Sequence, residues 1–218
     1  SAHIGLAAGG VLDIGFALTG THLTLNAATM TVSAPVTASG DLAAGAGIIN
    51  IEGIVSAQNV NLAAGTLNIG GSGGIWAGNH LVAVVAGDAN ITGGYLKTSS
   101  GDLEMLAGGN LSLNDGGHIW GGYMQMSSPY ADVSIAVGGD IRLNDGAHIS
   151  AANDVYLDLL GPASTLYLND APGYANSSYI LSDIGTGVIG TAHLTFVTRN
   201  SGGIVIDGEE TTTTIMGG

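Results

Sequence analysis

The chain has 218 residues, with 17 acidic side chains against three basic ones and a formal net charge of −14. That balance excludes nucleic acid as a partner, because phosphate recognition needs clustered Lys and Arg, and it disfavours anionic membrane surfaces for the same reason. Glycine supplies 38 residues and hydrophobic residues 45 %, but charged residues only 9 %, which is neither a disordered composition nor, without a period of three, a collagen-like one.

Two further classes fall away. There is no cysteine, hence no disulfide and no thiolate metal site. No apolar run approaches about 20 residues, so no helical membrane insertion is expected. The sequence begins at Ser1 without Met or a signal peptide, which reads as a mature form or an excised fragment.

The amino-terminal stretch Ser1–Val11 (SAHIGLAAGGV) is apolar, uncharged and without helical period. After it, short apolar strands recur in columns. One column runs Leu23, Leu42, Val60, Leu81, Leu103, Val133 and Val155, in steps of 19, 18, 21, 22, 30 and 22. A second runs Met30, Ile49, Leu67, Ala89, Leu111, Ile141 and Leu166, and a weaker third Ile54, Ile75, Tyr95, Ile119 and Ile149. Three short strands per step predict an all-β fold: a three-faced parallel β-solenoid of roughly eight coils, each stacked on the last at about 4.8 Å. Ala43, Ala44, Ala63 and Ala64 are assigned to the interior near corners. Asn26, Asn68, Asn114, Asn144 and Asn169 are assigned to strand ends, where stacked amides can form ladders.

The clearest repeat lies in the middle. Gly108–Ile119 reads GGNLSLNDGGHI and Gly138–Ile149 reads GGDIRLNDGAHI, 30 residues apart with eight of twelve positions identical. Alternation predicts that Leu111, Leu113, Val133, Ile135, Ile141 and Leu143 face inward, and Ser112, Ser134 and Arg142 outward. Asn-Asp-Gly predicts a tight bend, since these residues tolerate left-handed backbone. The single 30-residue step predicts an insertion near 123–131, where Pro129 cannot donate to a ladder. Residues 1–160 are thus regular coils. Residues 161–218 are less regular, interrupted by Pro162 and Pro172, with strands expected at Leu194–Val197, Ile204–Ile206 and Thr211–Ile215.

Three constellations carry candidate chemistry. Asn114-Asp115, Asn144-Asp145 and Asn169-Asp170 would stack Asp115, Asp145 and Asp170 along one edge, a weak calcium site or a carboxylate set for glycoside hydrolysis. The competing reading is that these residues simply cap turns. His118 and His148 match across one step, either as a two-histidine ligand pair or as an exposed turn stack; a structural metal site needs about four ligands. Trp76 and Trp120 each follow an inward Ile and so point outward. There they could stack on sugar rings, bury in a neighbouring subunit, or lie under a local loop. A polysaccharide lyase would need Arg or Lys near its substrate, and the three basic residues, Lys97, Arg142 and Arg199, are scattered. No catalytic residues, cofactor or firm metal site are assigned, and the chain is expected not to be an enzyme.

Two phrases, VNLAAGTLNIGGSGGIWAG (Val60–Gly78) and GGDIRLNDGAHISAANDVYL, resemble the hemagglutinin-type repeats of large secreted bacterial exoproteins. The tail Tyr179–Thr214 looks similar to stretches of the same group. The resemblance is to filamentous-hemagglutinin-like proteins exported by two-partner secretion. It implies a right-handed parallel β-helix, extracellular or at the bacterial cell surface, serving in adhesion or as a fibre. That family's amino-terminal export domain carries Asn-Pro-Asn motifs; none occurs here, so the likeness is to a portion outside it.

The ends complete the expectation. Neither end shows a polar cap or an amphipathic helix, so Ile4, Leu6 and Val11 at one end, and Thr213 and Ile215 at the other, are the candidate assembly residues. The expected partner is another copy of the chain, stacked end to end into a filament. Surface glycans are a second candidate partner through Trp76 and Trp120, and a glycoside hydrolase using stacked aspartates is the remaining enzyme reading.

Overall fold

The structure is a computed structural model and describes residues 3–122, 131–161, 164–169, 179–181, 194–198 and 203–207. All its regular elements are strands. The chain opens with β1 (His3–Ala7), β2 (Val11–Ile14), β3 (Leu18–Gly20), β4 (His22–Val32), β5 (Val36–Ala38), β6 (Asp41–Ile51), β7 (Ile54–Ala57), β8 (Asn59–Gly70) and β9 (Gly74–Ala77). Each strand pairs in parallel with the strand one coil away, so the fold is a β-solenoid with three faces. Eight strands on the third face are separated by seven steps. The solenoid therefore makes about seven turns, slightly fewer than the roughly eight expected from the sequence.

The first and second columns hold residue for residue. Leu23, Leu42, Val60, Leu81, Leu103, Val133 and Val155 are consecutive register partners on the first face. Met30, Ile49, Leu67, Ala89, Leu111, Ile141 and Leu166 are partners on the second. The 30-residue step joins Leu103 to Val133 without disturbing this register. The insertion expected near 123–131 falls, apart from Ala131, outside the described residues.

The third column needs a correction. Its members are Val36, Val55, Ile75, Leu96, Ile119, Ile149 and Ile180. Ile54 and Tyr95 sit one place early and face outward. The strands here are only three or four residues long, and Ile54-Val55 and Tyr95-Leu96 each offer two apolar neighbours. Gly74 decides the matter, because it aligns with both Ile54 and Tyr95 and has no side chain to contribute to a core.

The core is a single apolar column running the length of the coils. Leu111, Leu113, Ile141, Leu143, Val133 and Ile135 are buried within it, whereas Ser134 and Arg142 are exposed and Ser112 is half-buried. Of the four corner alanines, Ala44 and Ala64 point in as expected; Ala43 and Ala63 point out. The alternation of β6 and β8 forces that split, since neighbours cannot share a face.

The first and second faces belong to one 15-stranded sheet because β4, β6 and β8 run unbroken round their shared corner. Small residues permit this: a Cβ on Gly47 would sit 2.8 Å from the Ala28 carbonyl oxygen of the coil before. Beyond β8 the corner breaks into turns, and polar side chains take over its hydrogen bonding. Asp88 Oδ1 accepts the Asn110 amide at 2.7 Å, Asn110 Oδ1 accepts that of Asp140 at 2.9 Å, and Asp140 Oδ1 that of Thr165 at 2.9 Å. A second ladder climbs another corner. Asp102 Oδ1 accepts the Asp132 amide at 3.0 Å, and Asp132 Oδ1 accepts both the Asp154 amide at 3.0 Å and Asn153 Nδ2 at 2.7 Å. Each of these side chains satisfies a backbone N–H that the turn leaves outside the sheet.

Asp132→Ala removes the acceptor of two bonds in one place. We expect a loss of roughly 1–3 kcal/mol, the desolvation penalty of stranded donors. Asp132→Asn keeps an acceptor oxygen and should lose less, as read by denaturant midpoints of the two variants.

Asparagines also form ladders, though not as one set. Asn68 Nδ2 donates to Asn50 Oδ1 at 2.9 Å, and Asn90 Nδ2 donates to Asn68 Oδ1 at 3.0 Å, all in mid-strand on the second face. Asn144 Nδ2 donates to Asn114 Oδ1 at 2.7 Å at the end of that face, where Asn169 is the next register partner. Asn26 belongs to neither ladder, since it aligns with Gly45 on the first face.

Candidate functional site

The third face is chemically unlike the other two. Its strands after β9 are Tyr95–Thr98, His118–Gly121, His148–Ala151 and Tyr179–Leu181. None of its eight strands carries Asp or Glu, in a chain with 17 acids. Its outward positions hold five ring side chains, arranged in two parallel columns.

The first column is Tyr95, His118 and His148, in register. Tyr95 and His118 stack with ring centroids 5.6 Å apart; His118 and His148 stack at 4.8 Å with an interplanar angle of 4°. Tyr95 lies over Gly74, where any Cβ would collide with the ring. The pair foreseen as an exposed turn stack is thus stacked but half-buried. Burial pushes the His118 pKa down, and burial together with His118 and Lys97 pushes His148 down to about 4. Among the described residues, no three His, Asp or Glu side chains gather as a metal site.

The second column is Trp76, Lys97 and Trp120, again in register. Both tryptophans lie on the outer surface, as the alternation requires, but each is half-buried. They stand two coil steps apart, and Lys97 occupies the step between them. Trp76 Nε1 donates to Ser99 Oγ at 2.6 Å, which fixes its ring, and Trp120 meets His148 edge-on at 6.2 Å. The Lys97 ammonium lies 4.4 Å from the Tyr95 ring centroid, tying the two columns together. Partial burial lowers the Lys97 pKa. Beside Trp76 is a shallow hollow of about 290 Å³, lined among others by Ser56, Gln58, Gly78 and Ser99. A second hollow, on the first face, is lined by Asn26, Gly45, Asn61, Ala63 and Val84 among others, and none of its lining residues is charged.

The other candidates lie elsewhere. Asp115 and Asp145 occupy the turns between the second and third faces with φ of 51° and 57°. Gly93 and Gly71 hold the same place one and two coils before Asp115, at φ 68° and 59°. The aspartates therefore stand in the left-handed turn position, which accounts for the Asn-Asp-Gly wording of the repeat. Asp170 lies outside the described residues.

Ile4 and Leu6 align with Leu23 and Leu25 and pack, partly buried, against the end of the core. Val11 stands outward at 69 % exposure, and Leu12 takes the inward place beside Met30. Thr213 and Ile215 lie outside the described residues, as does the strand expected at Thr211–Ile215. The strands expected at Leu194–Val197 and Ile204–Ile206 are present as Leu194–Thr198 and Gly203–Asp207.

Fold and surface together define a parallel β-solenoid with one aromatic, acid-free face. Comparison with family models, with curated proteins and with solved structures gives no match to this chain. The fold is compatible with a hemagglutinin-like β-helix.

Proposed function

We propose that the chain is a non-catalytic structural and adhesive β-solenoid of the filamentous-hemagglutinin type, acting outside the cell or at the bacterial surface, whose amino-terminal coil is continued by a further solenoid coil. The observation that carries this reading is the one-sided pairing of the first coil. Among the described residues, β1 and β2 pair only with β4, and β3 only with β5. Their outer edges meet no other strand among the described residues, and Ile4, Leu6, Leu12 and Leu18 are only partly buried. An open parallel edge above an unfinished core is a template for another coil. The continuation is a second copy stacked end to end, or a neighbouring segment of the same polypeptide.

Sedimentation and negative-stain microscopy of the purified chain, over a range of concentrations, test the first case. Rods that lengthen with concentration, in increments of about 35 Å for seven turns at the usual strand spacing, are expected. Ile4→Lys with Leu6→Lys should shorten them, since both side chains sit at the contact and neither is fully buried. Monomers at every concentration would sink end-to-end assembly.

A further inference from the structure

We infer that the outer surface of the first face is an interface between two copies of this chain, laid side by side with their solenoids antiparallel. This goes beyond the end-to-end reading above and uses a different surface.

Size is the first observation. Over the eight strands from His3–Ala7 to Val155–Leu159, each strand turns two middle residues outward on this face. In the first four strands nothing larger than Asn stands there. In the last four stand Val82, Val84, Leu106 and Tyr156, with Val84 and Leu106 45 % and 43 % exposed. One outward column rises in register through Gly45, Ala63, Val84 and Leu106. The rise leaves the hollow of about 350 Å³ over Ala43, Gly45 and Ala63, with Val84 as its wall. An apolar ridge beside an apolar hollow is the shape of a surface made to be covered.

The occupant that fits is the same face reversed. A two-fold axis along the strand direction, midway between Ala63 and Val84, inverts the order of the coils and keeps each residue's place on its strand. That axis has four of the eight strands on either side, so the overlap is complete. Two copies so related face each other at about 10 Å, the usual separation of packed sheets. Leu106 of one copy then meets the partner's Gly45, Val84 meets the partner's Ala63, and Tyr156 meets the partner's Gly5. Each hollow receives the other copy's ridge. Parallel solenoids would instead set Val84 against the partner's Val82 and leave both hollows empty.

Charge permits this arrangement in a molecule of net charge −14. The two acids at these outward positions, Glu104 and Asp158, come opposite the partner's Ala43 and the partner's Ala7. At the rim, one place earlier, His3 and His22 come opposite the partner's Asp154 and the partner's Asp132, and a carboxylate accepts several bonds at once. The one like pair sets Asp41 against the partner's Asp102, and His22 Nδ1 lies 3.5 Å from Asp41. Eight strands at about 4.8 Å and five residues at about 3.3 Å cover roughly 550 Å² a copy and roughly 1,100 Å² for the pair, near the lower limit of a specific interface. Association is therefore expected at micromolar concentrations.

The chain has no cysteine, so single thiols report the geometry. Ala43→Cys and Glu104→Cys both stand outward and exposed. Mixed and treated with a short bismaleimide, the two variants should give a covalent dimer whose yield rises with concentration. Neither should do so alone, because two copies of the same position lie three coils apart, about 14 Å along the axis. Leu106→Lys, added to both variants, should raise the concentration for half-maximal cross-linking at least tenfold while thermal melting stays unchanged. Ile48→Lys, at a site 42 % exposed but round the corner on the second face, should leave it unchanged. Absence of a covalent dimer from the mixture would assign the face to a different partner and overturn the proposal. So would equal cross-linking of either variant alone, or a Leu106→Lys yield no lower than that of Ile48→Lys. End-to-end stacking brings neither thiol near the other, so the cross-link is blind to it. Rods that never lengthen beside a mixture that cross-links defeat only the end-to-end reading; the reverse result defeats only the lateral one.

Discussion

Leu143→Asp should prevent folding altogether. Leu143 is 0 % exposed and lies in register between Leu113 and Leu168, at the centre of the second-face column. A carboxylate there has no partner in an all-apolar surrounding. It must be buried charged, which is prohibitive, or be protonated at a penalty of several kcal/mol. The lost leucine leaves a packing defect worth a further 2–5 kcal/mol by the usual range of about that size. Together these exceed the stability of an ordinary domain, roughly 5–15 kcal/mol, at its lower end. The neighbouring Arg142 is the control. It points outward and holds Asp140 at 2.8 Å across an exposed pair. Arg142→Ser should therefore shift stability by about 1 kcal/mol or less. Circular dichroism of the two variants reads the contrast, and equally mild effects would refute the assigned register.

Mild acid should destabilise the third face, and His148 is the reason. Its folded pKa is depressed to about 4 from the ordinary 6.5, by burial first and then by His118 and Lys97. Between those values the unfolded chain binds a proton that the folded chain refuses. Stability from this group is therefore complete above pH 6.5 and falls as pH drops toward 4. The full shift corresponds to up to about 3 kcal/mol, of which roughly 1.5 kcal/mol falls between pH 6.5 and pH 5, before most carboxylates titrate. His148→Phe retains a ring for the stack without a titrating nitrogen, so its denaturation midpoint should decline less over that window than the parent's, the remaining slope coming from His118, whose pKa burial also lowers. Parallel declines in both chains would remove His148 as the cause.

The first two faces were legible in the sequence because their strands place two or more apolar residues inward, most of them large. Two or more inward positions per strand, at steps of 18 to 30 residues, leave no second register for Leu111–Leu113 or Ile141–Leu143. The third face was half legible. On the third face the second inward position is small or polar (Ala57, Ala77, Thr98, Gly121), so one large residue had to mark the register alone, and Ile54 and Tyr95 took the places of Val55 and Leu96. Trp76 and Trp120 could be placed on the surface from the sequence, but Lys97 was overlooked between them. Its signal was present: 97 − 76 = 21 and 120 − 97 = 23, both ordinary coil steps. The aspartate ladders at the corners were missed for a different reason. Asp88, Asn110 and Asp140 each look like a simple turn residue, and only the stacking shows each accepting the amide of the next coil.

Each strand of this solenoid finds its partner one coil away, at offsets of 18 to 39 residues along the first two faces. That regularity bears on how the chain acquires its shape. A polypeptide delivered gradually, from a ribosome or through a pore, needs only about one coil of free length before its next strands can land on those already formed. Folding then advances like a zipper closing in the direction of delivery, and each closed tooth resists sliding back. The slow search for distant partners that burdens most parallel sheets is avoided, because no partner is ever distant.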